Sequence, residues 1–332
     1  MNLTALNNLP RLLLEADLKP VAGNRFQPTG FADLGAAEYD LPNDGPKMLL
    51  VESAQSVANR LEKTCLDGDG PELDAALNGL PYVVAELEGP GIANRTSSLV
   101  EAHRVGSPYF LLNKDFKAAI EQEMNYNPKL PLDWKKIYAT LFKYDPNSLV
   151  HGVFLSLLDG GRVRSPRAVT GFIEARNIER VVSGGVKNSP VDPTGKTQVA
   201  DQKASEAGVY SNVPYARVEY VAEKITAYFN VDLALIRGFR LGEPATRLLI
   251  ALSLLKVRRF LETSLRLRTA CDLEVTAVRG TSPAGFELPD KTELLAAVQE
   301  GIQACAEQFA SPAVTVLKTK VKVMEKSAGA GQ

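Results

Sequence analysis

The chain has 332 residues, 45% hydrophobic and 23% charged, a globular composition that excludes a disordered or collagen-like polymer. Its net charge is −1, from 38 Lys+Arg against 39 Asp+Glu, so no global basic excess announces a nucleic-acid partner. Cys65, Cys271 and Cys305 are odd in number and lack CxxC spacing, which suits a reducing compartment. No apolar run reaches the roughly 20 residues of a bilayer span, so a cytoplasmic protein without membrane contact is expected.

Leu12, Leu14, Ala16 and Leu18 alternate with larger or charged side chains and predict a strand over 11–19 with one buried face. The polar loop 23–31 follows, then a short strand at Met48–Val51. Ala54, Val57, Ala58, Leu61 and Cys65 recur at helical spacing and predict a helix over 52–65, with Ser53 as N-cap. Residues 66–165 read as a mostly helical insertion, with helices over 115–125, 134–143 and 146–157. Strands near 168–182 and 216–236 flank 183–215, whose Gly, Pro, Ser and Asn content and weak periodicity predict a protruding arm. Leu233 and Leu235 continue the alternation of the second of these strands. Pro244 opens a helix to 264, a strand covers 269–279, a weaker helix 291–309, and a last strand begins at Val314.

The strong elements run βαββαβ. The expected fold class is α+β, a modified ferredoxin-like or RNA-recognition-motif core with a large helical insertion and a thumb-like one. That core is discontinuous: 1–65, 166–182 and 216–280. The helical insertion is 66–165, the arm 183–215, a C-terminal helix and strand packing on the core 281–326, and a small-residue tail 327–332.

Charge is uneven along the chain. Residues 160–187 carry six basic side chains against Glu174 and Glu179, and 237–268 carry eight against Glu243 and Glu262. Local basic stripes on a neutral chain suit one anionic partner face among others that meet protein. Gly195-Lys196-Thr197 resembles the end of a phosphate-binding loop, but Pro190 stands where its leading glycine is required, so a solvated turn is the better reading. His103 and His151 are the only histidines and have no metal-ligand spacing; no cofactor or metal is expected. Arg25, Gln27 and Thr29, with Ser53, Gln55, Asn59 and Arg60, can grip phosphates and 2′-hydroxyls without reading sequence, and they can equally cap their own helix.

The strings RLLLEADLKPVAGNRFQPTGFADLGAAEYD and LLVESAQSVANRLE resemble the N-terminal signature of the Csb-one group. This is the Cas family seven backbone subunit of the type I-G, formerly I-U, CRISPR Cascade. The resemblance continues through Asn78–Tyr82, Glu101–Arg104 and Ser107–Phe110. It implies a non-catalytic subunit that binds CRISPR RNA, oligomerises head-to-tail along it, supports hybridisation to a target DNA strand and meets other Cascade subunits. The arm 183–215 would then be a thumb over the guide. Candidate RNA contacts are Arg25, Gln27, Thr29, Ser53, Gln55, Asn59, Arg60, Arg95, His103, Arg104, Arg162, Arg164, Arg167 and Lys187. Asp33 occupies a loop that supports metal-dependent RNA cleavage in related type III subunits; here a turn-forming role is expected. The alternative is a ferredoxin-like endoribonuclease that processes guide precursor or cuts target RNA, with His103 or His151 as general acid or base.

Overall fold

A computed structural model describes residues 4–31, 33–89, 92–188, 190, 198–199, 202–203 and 212–321. The N-terminal alternation forms β1, Leu12–Pro20, with Leu12, Leu14, Ala16 and Leu18 buried on one face. Short β2, Glu38–Asp40, and β3, Lys47–Glu52, precede helix α1, Ala54–Lys63, where the Ser53 hydroxyl accepts the Ser56 N–H. The insertion holds β4, Tyr82–Gly89, and β5, Ile92–Ser97, then α2, Lys114–Glu123, α3, Trp134–Tyr144, and α4, Pro146–His151. Two long strands follow, β6, Val169–Asn188, and β7, Asn212–Val231. The chain closes with α5, Glu243–Glu262, β8, Arg266–Arg268, β9, Cys271–Ser282, α6, Lys291–Ala304, and β10, Val314–Lys320.

The large sheet has the order β8-β9-β1-β7-β6-β3-β2. At its centre β9, β1, β7 and β6 are mutually antiparallel neighbours, with Leu12 opposite Val231 and Val169 opposite the same residue from the other side. Odd-numbered residues of β6 (Val169, Ile173, Ala175) and of β7 (Ile225, Ala227, Phe229) are buried on one face. Against that face lie α1, through Val57, Ala58 and Leu61, and α5, whose Phe260 meets Phe229 edge-on with ring centroids 6.0 Å apart. Helix α5 is buried all round over 248–257 because α6 packs on it as well, and a helix with no solvent face there shows no clean stripe.

Several boundaries depart from the sequence reading. The strand expected to reach 236 stops at Val231, where the Asp232 carboxylate accepts the Leu235 N–H at 2.8 Å and starts a short helix, Leu233–Gly238. The cap outcompetes the continuing alternation. The helix expected over 146–157 ends at His151, because Gly152 takes φ +79° and Val153–Phe154 pair with Arg164–Ser165. The 66–165 region contains a strand pair beside its helices. Tyr82–Ala85 are buried on both faces and carry no alternation, and β4 pairs in parallel with β10, more than 200 residues later. Hence the last strand joins this second sheet, of order β10-β4-β5. Of the arm, 183–188 and 212–215 continue the β6–β7 ladder. The P-loop-like Gly195-Lys196-Thr197 and the 327–332 tail lie outside the described residues.

A polar cluster is buried where the insertion meets α1 and α5. The Arg104 guanidinium donates to both Glu62 oxygens, at 2.6 and 2.8 Å, and to the Gly152 carbonyl at 2.9 Å. Asn147 bridges Glu62 to the fully buried Lys256, whose ammonium also lies 3.0 Å from His151 Nε2. Burial first, then the neighbouring Lys256 and Arg104, hold His151 well below its ordinary pKa. Asp145, fully buried, accepts from Ser148 and is pushed up from 3.8 to about 6, mainly by desolvation.

A carboxyl whose folded pKa is raised favours folding below its unfolded pKa and loses that advantage as pH rises through the folded one. Relative to Asp145→Asn, the wild type is therefore expected to lose stability between about pH 4 and pH 7, by up to roughly 3 kcal/mol at 1.36 kcal/mol per unit. Denaturant titrations of both proteins across that range measure it; parallel pH profiles would show that Asp145 is charged throughout.

Candidate nucleic-acid interface

The loop after β1 is glycine-punctuated in sequence, yet it is stitched at each step. Phe26, 1% exposed, exchanges both main-chain hydrogen bonds with Tyr220 of β7, each 2.9 Å. Gln27 N–H donates to Ala270 at the β8–β9 turn (2.8 Å), and Thr29 N–H to Val51 of β3 (2.9 Å). Arg268 of β8 donates from Nη1 to the carbonyls of Gln27 (3.0 Å) and Val51 (3.1 Å), while its Nη2 pairs with the buried Glu52 carboxylate. Glu52 also accepts from Ser56 and from Arg60 Nε, the latter at 2.9 Å.

These restraints frame a groove of about 680 Å³ between the loop and the foot of the β6–β7 ribbon. Gln27, Thr29, Arg180, Arg217 and Arg268 supply its polar lining, with Tyr215 and Tyr220 beside them. Arg180 is 65% exposed and pairs with Glu38 at 2.6 Å. Burial works to raise the Glu38 pKa, but hydrogen bonds from Tyr220 and Arg180 outweigh it and hold the carboxyl low. Arg217 lies 5.7 Å from the centre of the Tyr215 ring and 3.9 Å from Glu219. Three arginines from three different strands thus border one groove, beside neutral donors and acceptors, with the Arg180 guanidinium on Glu38, that of Arg217 beside Tyr215 and Glu219, and that of Arg268 turned to the loop. Such residue types can hold phosphates and sugars.

The ribbon changes character just before it reaches the groove. Asn177 takes the left-handed conformation, φ +52°, and the buried set switches from odd residues to even ones, Ile178 and Tyr220. The even face then runs outward as Val182, Gly184 and Val186 opposite Val218, Ala216 and Pro214, with no polar side chain among the six. Val182 is 76% exposed, Val186 55% and Val218 46%. An apolar exposed face beside a cationic groove marks an interaction surface. Gly184 is required there: a Cβ on it would lie 2.6 Å from the Tyr215 carbonyl.

The remaining candidates are dispersed. Arg25 faces the opposite side of the Phe26–Tyr220 bridge and pairs with Glu219 at 3.3 Å. Ser53 caps α1, and Gln55, Asn59 and Arg167 form a second polar patch: Gln55 donates to Asn59 at 2.8 Å and accepts from Arg167. Arg162 donates to the carbonyls of Pro128 and Leu130, and Arg164 lies 4.4 Å over Phe154. Arg95 pairs with Glu72 on the second sheet, His103 is exposed before a 3₁₀ turn, and Lys187 is exposed in the ribbon opposite Val213. Two candidates are turned inward. Arg104, 7% exposed, is fully engaged by Glu62 and Gly152, and Arg60 donates to Glu52 and to the Leu267 carbonyl. Their internal partners leave Arg104 almost no solvent face and Arg60 a partial one. Arg180, Arg217 and Arg268 were not singled out from the sequence, although pairing 180 with 220 across a hairpin would have brought the first to the loop.

A family model described as CRISPR-associated protein GSU0053 matches residues 12–180, the stretch carrying β1, the stitched loop, α1 and Arg180. The chain belongs to this CRISPR-associated family. Solved structures with similar chains include "CRISPR RNA-guided surveillance complex, pre-nicking" (14% identity, 88% of this chain and 86% of that one, TM-score 0.42). A second, "CRISPR RNA-guided surveillance complex", has 12% identity, 90% and 88% coverage and a TM-score of 0.34. "Crystal structure of Thermofilum pendens Csc2" has 10% identity, 92% and 77% coverage and a TM-score of 0.33. At those scores the likeness decides neither fold detail nor function. No curated protein sequence matches the chain.

Within this CRISPR-associated chain, no group of His, Cys, Asp and Glu among the described residues is arranged to hold a metal ion, and Asp33 lies in an exposed turn. No helix among them is long and apolar enough to cross a membrane. His151 is sealed in the core, beyond the reach of a polymer.

Arg104→Ala is expected to cost about 3–5 kcal/mol of stability, because it strands Glu62 uncompensated in the core. Denaturant unfolding checks this, with Arg95→Ala on the surface as the comparison, expected within about 1 kcal/mol of wild type.

Proposed function

We propose that this protein is a non-catalytic, CRISPR RNA-binding backbone subunit of a type I-G Cascade. Copies assemble head-to-tail along one guide and hold it for pairing with a target DNA strand. The observation that carries the reading is the groove at the foot of the β6–β7 ribbon, where Arg180, Arg217 and Arg268 converge beside Gln27 and Thr29. A neutral chain with a cationic groove fits a subunit whose other faces meet protein. The four central strands, in order β9-β1-β7-β6 with α1 and α5 on one face, support a ferredoxin-like core. The ribbon, apolar on its even face, is the thumb of this reading. Heterologous contacts of this kind generate open filaments, whose length a guide of fixed size would set. Arg25, Gln55, Asn59, Arg164, Arg167 and Lys187 are secondary contacts along the same RNA.

Three experiments test the proposal. The co-expressed protein is expected to purify as high-order oligomers carrying short RNA. Arg180→Gln and Arg217→Gln should each lower the logarithmic salt slope of single-strand binding by about 0.7, equally for unrelated sequences. An RNA-free monomer in the presence of guide would sink the assignment, and cleavage of repeat RNA abolished by His103→Ala would replace it with the ribonuclease. Deleting 186–212 should leave the melting temperature of the core nearly unchanged while assembly on RNA fails; normal guide-bound complexes without that segment would remove the thumb from this proposal.

A further inference from the structure

Glu52 ends β3 with its side chain wholly buried, and it is the only carboxylate that Arg60 and Arg268 are paired with among the described residues. The two guanidiniums lead to different places. Arg268 lines the groove of about 680 Å³, whereas Arg60 lines a separate cavity of about 340 Å³ under β8 with Thr64, Thr263 and Arg266. Arg268 is 24% exposed, and each donor with an assigned partner is turned inward: toward Glu52, the Gln27 carbonyl and the Val51 carbonyl. Arg60 reaches Glu52 and Leu267, so the carboxylate also holds β8, the strand that carries Arg268. Guanidinium is planar and forked, and this geometry uses the fork to tie two strands and a loop together.

We infer that Glu52 is a positioning residue for nucleic-acid binding: through Arg268 it fixes the Asn24–Thr29 loop as one wall of the groove. Arg268 accordingly acts as a strut, and Arg180 and Arg217 face the phosphates. This rests on the groove being the RNA site proposed above. The arrangement separates two contributions that a count of basic residues merges. A charge in the groove is replaceable by any cation, whereas a fork between two carbonyls and a carboxylate is not.

The test uses the full chain as wild type, Glu52→Gln, Arg268→Lys and Arg268→Gln, with a labelled mixed-sequence single-stranded RNA titrated at several salt concentrations. Hydrogen exchange over residues 23–31 is followed in the absence of RNA. The amides of Phe26, Gln27 and Thr29, hydrogen-bonded in the intact loop, should exchange faster in all three variants while the β1–β7 ladder stays protected. Binding should weaken roughly tenfold in each, the scale of one lost restraint, with the salt slope unchanged. Arg268→Lys should fail to rescue although it keeps the charge. Unchanged exchange in both Glu52→Gln and Arg268→Lys would overturn the strut. So would wild-type binding by Arg268→Lys together with a slope lowered by about 0.7 in Arg268→Gln, which would make Arg268 a direct phosphate ligand. Faster exchange with unaltered affinity would overturn the link to binding. If Glu52→Gln does not fold, Arg268→Lys decides by the same two readouts. Failure of the groove reading itself looks different: Arg180→Gln leaves the slope unchanged while the loop amides still respond to Arg268→Lys.

Discussion

The antiparallel ladder between β6 and β7 carries both halves of this molecule. One register runs from Val169 opposite Val231 to Asn188 opposite Asn212. In its first part the ladder supplies the middle of the sheet, where Ile173, Ala175, Ala227 and Phe229 are closed over by α1 and α5. In its second part it leaves the body as a ribbon. A single ladder cannot present a core face and an outward binding face without reorienting. Asn177, left-handed at φ +52°, is where it does so, and asparagine is among the few residues that accept that conformation cheaply. The groove, the stitched loop through Tyr220 and the apolar ribbon face all lie on the far side of that residue.

Arginine in this protein is largely structural. Arg104 neutralises Glu62 inside the core, Arg259 pairs with Asp74 and caps the end of α1 through the Thr64 carbonyl, Arg258 holds the Leu288 and Pro289 carbonyls, and Arg268 braces the loop. Buried or half-buried guanidiniums need several acceptors at once, and chain ends and turns offer unpaired carbonyls. Basic density along the sequence therefore overstates the cationic surface. What remains accessible in the groove, Arg180 and Arg217, comes from adjacent strands of the hairpin rather than from one arginine-rich segment.

Much of the element pattern was legible beforehand. The β1 alternation, the α1 stripe with its Ser53 cap, the start of α5 at Pro244 and the β9 alternation each followed from local periodicity or capping chemistry. Tyr82–Ala85 escaped notice because a strand buried on both faces has no period-2 signal, and its partner β10 lies at the other end of the chain. Leu233 and Leu235 misled because a helix's first turn after an Asp cap looks, over four residues, like the end of a strand. Among the binding candidates Gln27 and Thr29 reach the groove. Arg104 is drawn into the core by Glu62, a partner 42 residues away that no spacing rule pairs with it.

The sequence by itself determined most of the local elements, β1, α1, β6, β7, α5 and β9 in that order, and membership of a CRISPR-associated family over residues 12–180. These depend on contacts between near neighbours or on residue identity alone. Only the tertiary structure decided which arginines face solvent, that a buried glutamate at the end of β3 braces the groove wall, and that the ribbon turns an apolar face outward. Those depend on pairings across 42 to 241 residues or on one backbone dihedral at Asn177, and neither leaves a periodic trace in the sequence.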